Sequence, residues 1–86
     1  MMEKVKVINT SGEVEVVELI TYLISEDKLK QYIVYSKGEV KGTAGDQVIY
    51  ISKLYKTDAG FKLEEISDDL EWRGVQRLLK RIANAN

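Results

Sequence analysis

Three strand-like segments of this chain are apolar at both odd and even positions, and only one segment has helical spacing. Val16, Ile20 and Tyr22 alternate with Val17, Leu19 and Leu23; Ile33 and Tyr35 alternate with Tyr32 and Val34; Ile49 and Ile51 alternate with Val48, Tyr50 and Leu54. Successive residues of a strand point to opposite faces, so each segment needs cover on both sides. One helix of about four turns shields a single side of such a sheet. Either the sheet curls until it covers itself, or its second side meets another chain. A face left open would exceed the apolar area that monomers usually expose.

The strands follow from period-two alternation and turn chemistry. Lys4-Val5-Lys6-Val7 opens a first strand over about 4–9, and Thr10-Ser11-Gly12-Glu13 reverses the chain. A second strand covers about 14–24, roughly twice the usual length, which predicts a bend or bulge near Val16-Val17. Ser25-Glu26-Asp27-Lys28 turns into a third strand over about 31–36. Residues 37–46 hold three glycines and read as a mobile loop; a fourth strand follows over about 47–55. Thr57-Asp58-Ala59-Gly60 places Gly at the left-handed turn position before a fifth strand over about 61–65.

The period then changes. Trp72, Val75, Leu78, Leu79 and Ile82 fall three and four apart, predicting an amphipathic helix over about 68–83. Ser67-Asp68-Asp69 supplies an N-cap, Glu71 stands three after Asp68 in capping-box spacing, and Arg77, Lys80 and Arg81 suit the helix's C-terminal half. Gly74 costs about 1 kcal/mol relative to Ala, which points to a close approach to the sheet. Asn84-Ala85-Asn86 is expected to fray. The short connections make neighbouring strands antiparallel. The predicted fold class is therefore α+β. A single domain over 1–86 forms a curved antiparallel five-stranded meander, with one C-terminal amphipathic helix packed on one face.

Composition removes whole classes of function. Thirteen Lys/Arg against fourteen Asp/Glu leave a formal charge of −1, which fits neither a basic nucleic-acid packer nor an acidic tail. His and Cys are absent, excluding zinc centres, disulfide scaffolds and His- or Cys-based catalysis. Gly38 to Gly45 is not a phosphate loop, because no Lys-Ser/Thr follows and a strand comes next. The acidic pairs Glu26-Asp27, Glu64-Glu65 and Asp68-Asp69 lack EF-hand spacing, and adjacent strand residues diverge. Ser36-Lys37 and Ser52-Lys53 are Ser–Lys pairs without a supporting motif. The chain reads as non-enzymatic, with no catalytic, metal or cofactor site. No apolar run approaches the roughly 20 residues that span a bilayer. Met1-Met2-Glu3-Lys4 leads into the first strand without the apolar stretch of a signal peptide, so the expected location is cytoplasmic.

Two surfaces stand out. Val17, Leu19, Leu23, Tyr32 and Val34 read as neighbours on one sheet face and form the expected protein-binding surface, for a partner protein or a second copy. Arg73, Arg77, Lys80 and Arg81 form a basic helical stripe able to contact phosphates. Tyr22, Tyr32, Tyr35, Tyr50 and Tyr55 could stack bases, but the RNP1 pattern is absent, which ranks nucleic acid below a protein partner. A small ligand held inside the curved sheet is a further alternative.

The same residues carry a family resemblance. A Ser-Gly hairpin precedes Glu13-Val14-Glu15-Val16, and a long strand passes through Ile20-Thr21-Tyr22. Tyr32-Ile33-Val34-Tyr35, a glycine-bearing loop and Val48-Ile49-Tyr50-Ile51 come next. Leu63-Glu64-Glu65-Ile66-Ser67-Asp68-Asp69-Leu70-Glu71-Trp72 then leads into the helix. Over about residues 4–83 the chain resembles the YrzB-like family of small cytosolic proteins of Gram-positive bacteria, a domain of unknown function. Members are usually strongly acidic, whereas the helix here is basic. The resemblance implies the same fold and a cytosolic setting, and brings no catalytic motif with it.

Overall fold

The computed structural model describes residues 3–42 and 45–84. Five strands, β1 (Glu3–Ile8), β2 (Val14–Ile24), β3 (Gln31–Lys41), β4 (Asp46–Thr57) and β5 (Gly60–Glu64), precede one helix, α1 (Asp69–Asn84). Sequential neighbours pair antiparallel, giving the α+β class read from the pattern. The sheet also closes on itself as a barrel. With five alternating strands, the first and last run the same way, so the closing pair β1–β5 is parallel, through Val7–Phe61 and Ile8–Lys62. Curling thus covers one set of the apolar side chains inside the barrel, while Val16, Ile20, Tyr22 and Ile49 stay exposed.

Asn9 sets the first hairpin. Its Oδ1 accepts the N–H groups of Ser11 and Glu13, both at 3.0 Å, while Gly12 supplies a φ of +84°. At the last hairpin, Thr57 pairs with Gly60 and its hydroxyl donates to the Gly60 carbonyl at 2.8 Å.

A bulge at Ile20 organises the core. Leu19 and Ile20 lie against Tyr35, after which Thr21 pairs with Val34 and Leu23 with Tyr32. The extra residue inverts the facing of everything downstream. Val17 and Leu19 therefore pack inside the barrel with Val7, Ile33, Tyr35, Leu54 and Leu63, whereas Leu23 lies outside it, beneath the helix. Strand length alone places a bend or bulge near Val16-Val17; the bulge's position at Ile20 splits residues that the sequence puts on one face.

The helix packs Val75, Leu78 and Leu79 on Leu23, Tyr32, Val34 and Ile51, forming a second core outside the barrel. β3 lies between the two cores: Ile33 and Tyr35 face inward and Tyr32 and Val34 face the helix, so all four are buried. Asp68 caps α1, with its Oδ2 accepting the Glu71 N–H at 3.3 Å. A Cβ at Gly74 would meet nothing within 4 Å, so this glycine does not mark a close approach.

The segment 37–46 is mostly strand. β3 runs to Lys41 and β4 starts at Asp46, paired through Val40–Gln47 and Lys41–Asp46 beyond a bulge at Lys37-Gly38-Glu39. Thr43 and Ala44, in the centre of that segment, lie outside the described residues, as do Ala85 and Asn86 at the end expected to fray. Asn84 belongs to the helix.

Candidate functional site

The face expected to dock a partner is core. Val17, Leu23, Tyr32 and Val34 are all buried and Leu19 is largely so, with Val17 and Leu19 inside the barrel and the other three under α1. The Ile20 bulge is the cause: Val17 and Leu23 share a sequence parity but not a face.

Beneath the first turn of α1 sits a polar cluster. The Glu71 side chain is only 6% exposed; its Oε1 lies 3.0 Å from Lys53 Nζ and its Oε2 3.4 Å from Lys30 Nζ. The Tyr32 hydroxyl donates to Oε2 at 2.9 Å. Glu71 thus turns into the seam instead of completing a capping box. Burial pushes its pKa up, but the hydrogen bonds from Lys53 and Tyr32 and the two lysine charges outweigh this and hold it below the ordinary value. The hydrogen bond to Glu71 raises Lys53. Burial, followed by the hydrogen bond to Glu71, raises Tyr32 to about 12. Each pKa is driven further from pH 7, the opposite of what a general acid or base needs there. The cluster fastens α1 to the barrel beside a cleft of about 360 Å³. Glu71 lies four residues before Val75, on the buried arc of the helix, and that spacing is the sequence signal for its role.

The serines of the two Ser–Lys pairs are also occupied. Tyr35 and Ser52 share a buried hydrogen bond of 3.0 Å, and Ser36 Oγ accepts from Gln47 Nε2 at 2.8 Å and from the Gly38 N–H at 3.1 Å. Among the described residues, no group of three or more acidic side chains could hold a metal ion, and no helix is long and apolar enough to cross a membrane.

The basic stripe is divided. Arg73, Arg77 and Lys80 lie on the outward arc of α1 and form no ion pair among the described residues. Arg81 instead reaches Glu26 at 2.8 Å, tying the helix to the β2–β3 turn. Of the tyrosines, Tyr32 and Tyr35 are buried, and Tyr35 stacks on Tyr50 with centroids 5.5 Å apart. Tyr22 and Tyr55 remain exposed.

Another surface appears where β2 and β3 separate. Their ladder ends at Glu18–Ser36, so Val14–Val17 pair with β1 alone while β3 bends away with β4. Val14, Val16, Val40 and Ile49, on the three strands of this flank, are 66%, 56%, 69% and 54% exposed. A cleft of about 270 Å³ opens at the fork, lined by Lys4, Val16, Val17, Glu18, Ser36 and Lys37. An ion pair between Glu15 and Lys37, at 3.5 Å, spans the gap where main-chain bonds have stopped. Sequence parity marks these valines as one half of a two-faced strand; the ending of the ladder leaves them uncovered.

Comparison with family models, with curated proteins and with solved structures gives no match for this chain.

Proposed function

We propose that this protein is a non-enzymatic interaction module that docks a partner protein on the flank where β2 and the β3–β4 hairpin diverge. The observation that carries this reading is the set of large apolar side chains, Val14, Val16, Val40 and Ile49, left exposed beside an unfinished ladder. Apolar side chains exposed beside a free strand edge are costly to leave in water, and they are what interaction surfaces offer. Docking moves from the buried residues Val17, Leu23, Tyr32 and Val34 to this flank. Membership of the YrzB-like family and a cytoplasmic setting belong to the same proposal; the family has no established activity, so it adds no chemistry.

A photo-crosslinking residue at Val16, compared with one at the exposed helical position Leu70, tests the reading. A protein adduct specific to position 16 is expected; no adduct there, or equal labelling at both positions, overturns it. Light scattering at two concentrations separates a partner protein from a second copy.

A second reading has its own observation. Arg73, Arg77 and Lys80 are three cations on one outward arc without an ion pair among the described residues, suited to a phosphate backbone. Salt-sensitive retention on a mixed oligonucleotide would support it.

A further inference from the structure

We infer that the β2–β3 fork binds an extended peptide segment by strand addition, and that this segment alternates basic with apolar residues; the inference rests on the docking reading above and names its occupant. The phase of β2 supplies the first reason. The Asn9 N–H donates to the Glu13 carbonyl at 2.8 Å, so Glu13 turns its main-chain groups toward β1. Alternation along a strand then directs Glu15 and Val17 toward β1, and Val14 and Val16 away from it. The N–H and C=O groups of Val14 and Val16 thus face the fork beyond the last β2–β3 pair, presenting a template that an added strand completes.

Side chains set the chemistry of the occupant. Val14 and Val16 project to the outer surface, where alternate apolar residues of an added strand would cover them. Glu15 and Glu18 on β2, with Glu13 just before it, make this wall of the fork acidic, while Lys37, Glu39 and Lys41 on the opposite wall carry one net positive charge. Glu15 is only partly answered: Lys37 stands 3.5 Å from Oε2, and Oε1 is buried without a hydrogen-bond partner among the described residues. A Lys or Arg from the incoming strand would supply the missing donor. A second copy pairing β2 with β2 about a twofold axis near Glu15 would set these carboxylates against each other, which favours a basic strand over self-association.

The test uses the full chain and the peptide acetyl-Lys-Val-Lys-Val-Lys-Val-amide, with a Glu-for-Lys control and a control N-methylated at alternate residues. Amide exchange followed by NMR is expected to slow about tenfold or more at Val14 and Val16 with the Lys peptide and with neither control. Glu15→Gln, which keeps the side-chain shape, is expected to weaken binding about fivefold. Unchanged exchange at Val14 and Val16, or equal binding of the Glu peptide, overturns the inference. If exchange is unchanged but the Val16 crosslink forms, strand addition falls and docking stands; if the crosslink fails as well, both fall.

Discussion

Lys53 Nζ lies 3.0 Å from Glu71 Oε1, and through this contact β4 holds the first turn of the helix. Lys53 is itself only 19% exposed, so removing its partner strands a cation in a poorly solvated seam and leaves the Tyr32 hydroxyl unmatched. Glu71→Ala is therefore expected to cost about 3 kcal/mol, with Glu71→Gln costing less because it keeps an acceptor for Tyr32. Chemical denaturation of the two variants checks the order.

The same cluster gives stability two pH limits. Glu71 has a lowered pKa, so its contribution is present above the ordinary carboxylate value and is lost as pH falls through the lowered one. Tyr32 is raised to about 12, and Lys53 is also raised. Their contributions are full below the unfolded values and disappear as pH climbs through the folded ones. Denaturation midpoints across pH should show both limbs. Tyr32 ionisation, followed by NMR, should move down in Glu71→Gln.

Gly74 has open space where a Cβ would sit and no left-handed backbone to protect. Gly74→Ala is expected to stabilise the protein by about 1 kcal/mol through helix propensity. A rise in the denaturation midpoint at unchanged m-value verifies it.

Leu23 and Val16 contrast a buried and an exposed site on one strand. Leu23→Ala opens a cavity under α1 and should cost about 3 kcal/mol, whereas Val16→Ala should stay within about 0.5 kcal/mol. Equal effects in thermal unfolding would contradict the division of β2 at Ile20.

If the helix meets a phosphate backbone, Arg73→Ala, Arg77→Ala and Lys80→Ala should each reduce the salt dependence of oligonucleotide binding by about one unit of slope. Arg81→Ala should change it less, because Glu26 already occupies that guanidinium. Binding titrations at several salt concentrations decide the matter.

Much of the architecture is legible in local pattern. Alternation marks the five strands, Ser67-Asp68-Asp69 marks the start of the helix, and Val75, Leu78 and Leu79 mark its buried side. Apolar residues at both parities in β3 correctly require cover on two faces, because a strand between two cores has no solvent side. The docking face is not legible, because one extra residue at Ile20 exchanges inside and outside for Leu23, and no local property of Leu19-Ile20-Thr21 announces it. The glycine-bearing segment misleads for a related reason: Gly38, with a φ of +77°, serves a bulge within a continuing strand. The fork between β2 and β3 depends on where a ladder ends, a relation between distant segments.

Closure through Val7–Phe61 and Ile8–Lys62 joins the two ends of the strand series with only two paired positions. Nothing can fasten there until the intervening ribbon has wound fully round, so this seam should be the last to form during folding. It should equally be the first to part during native-state breathing, with amide protons at the closing seam exchanging ahead of those on β3. The barrel behaves in this respect as a wrapped sheet held at one short clasp.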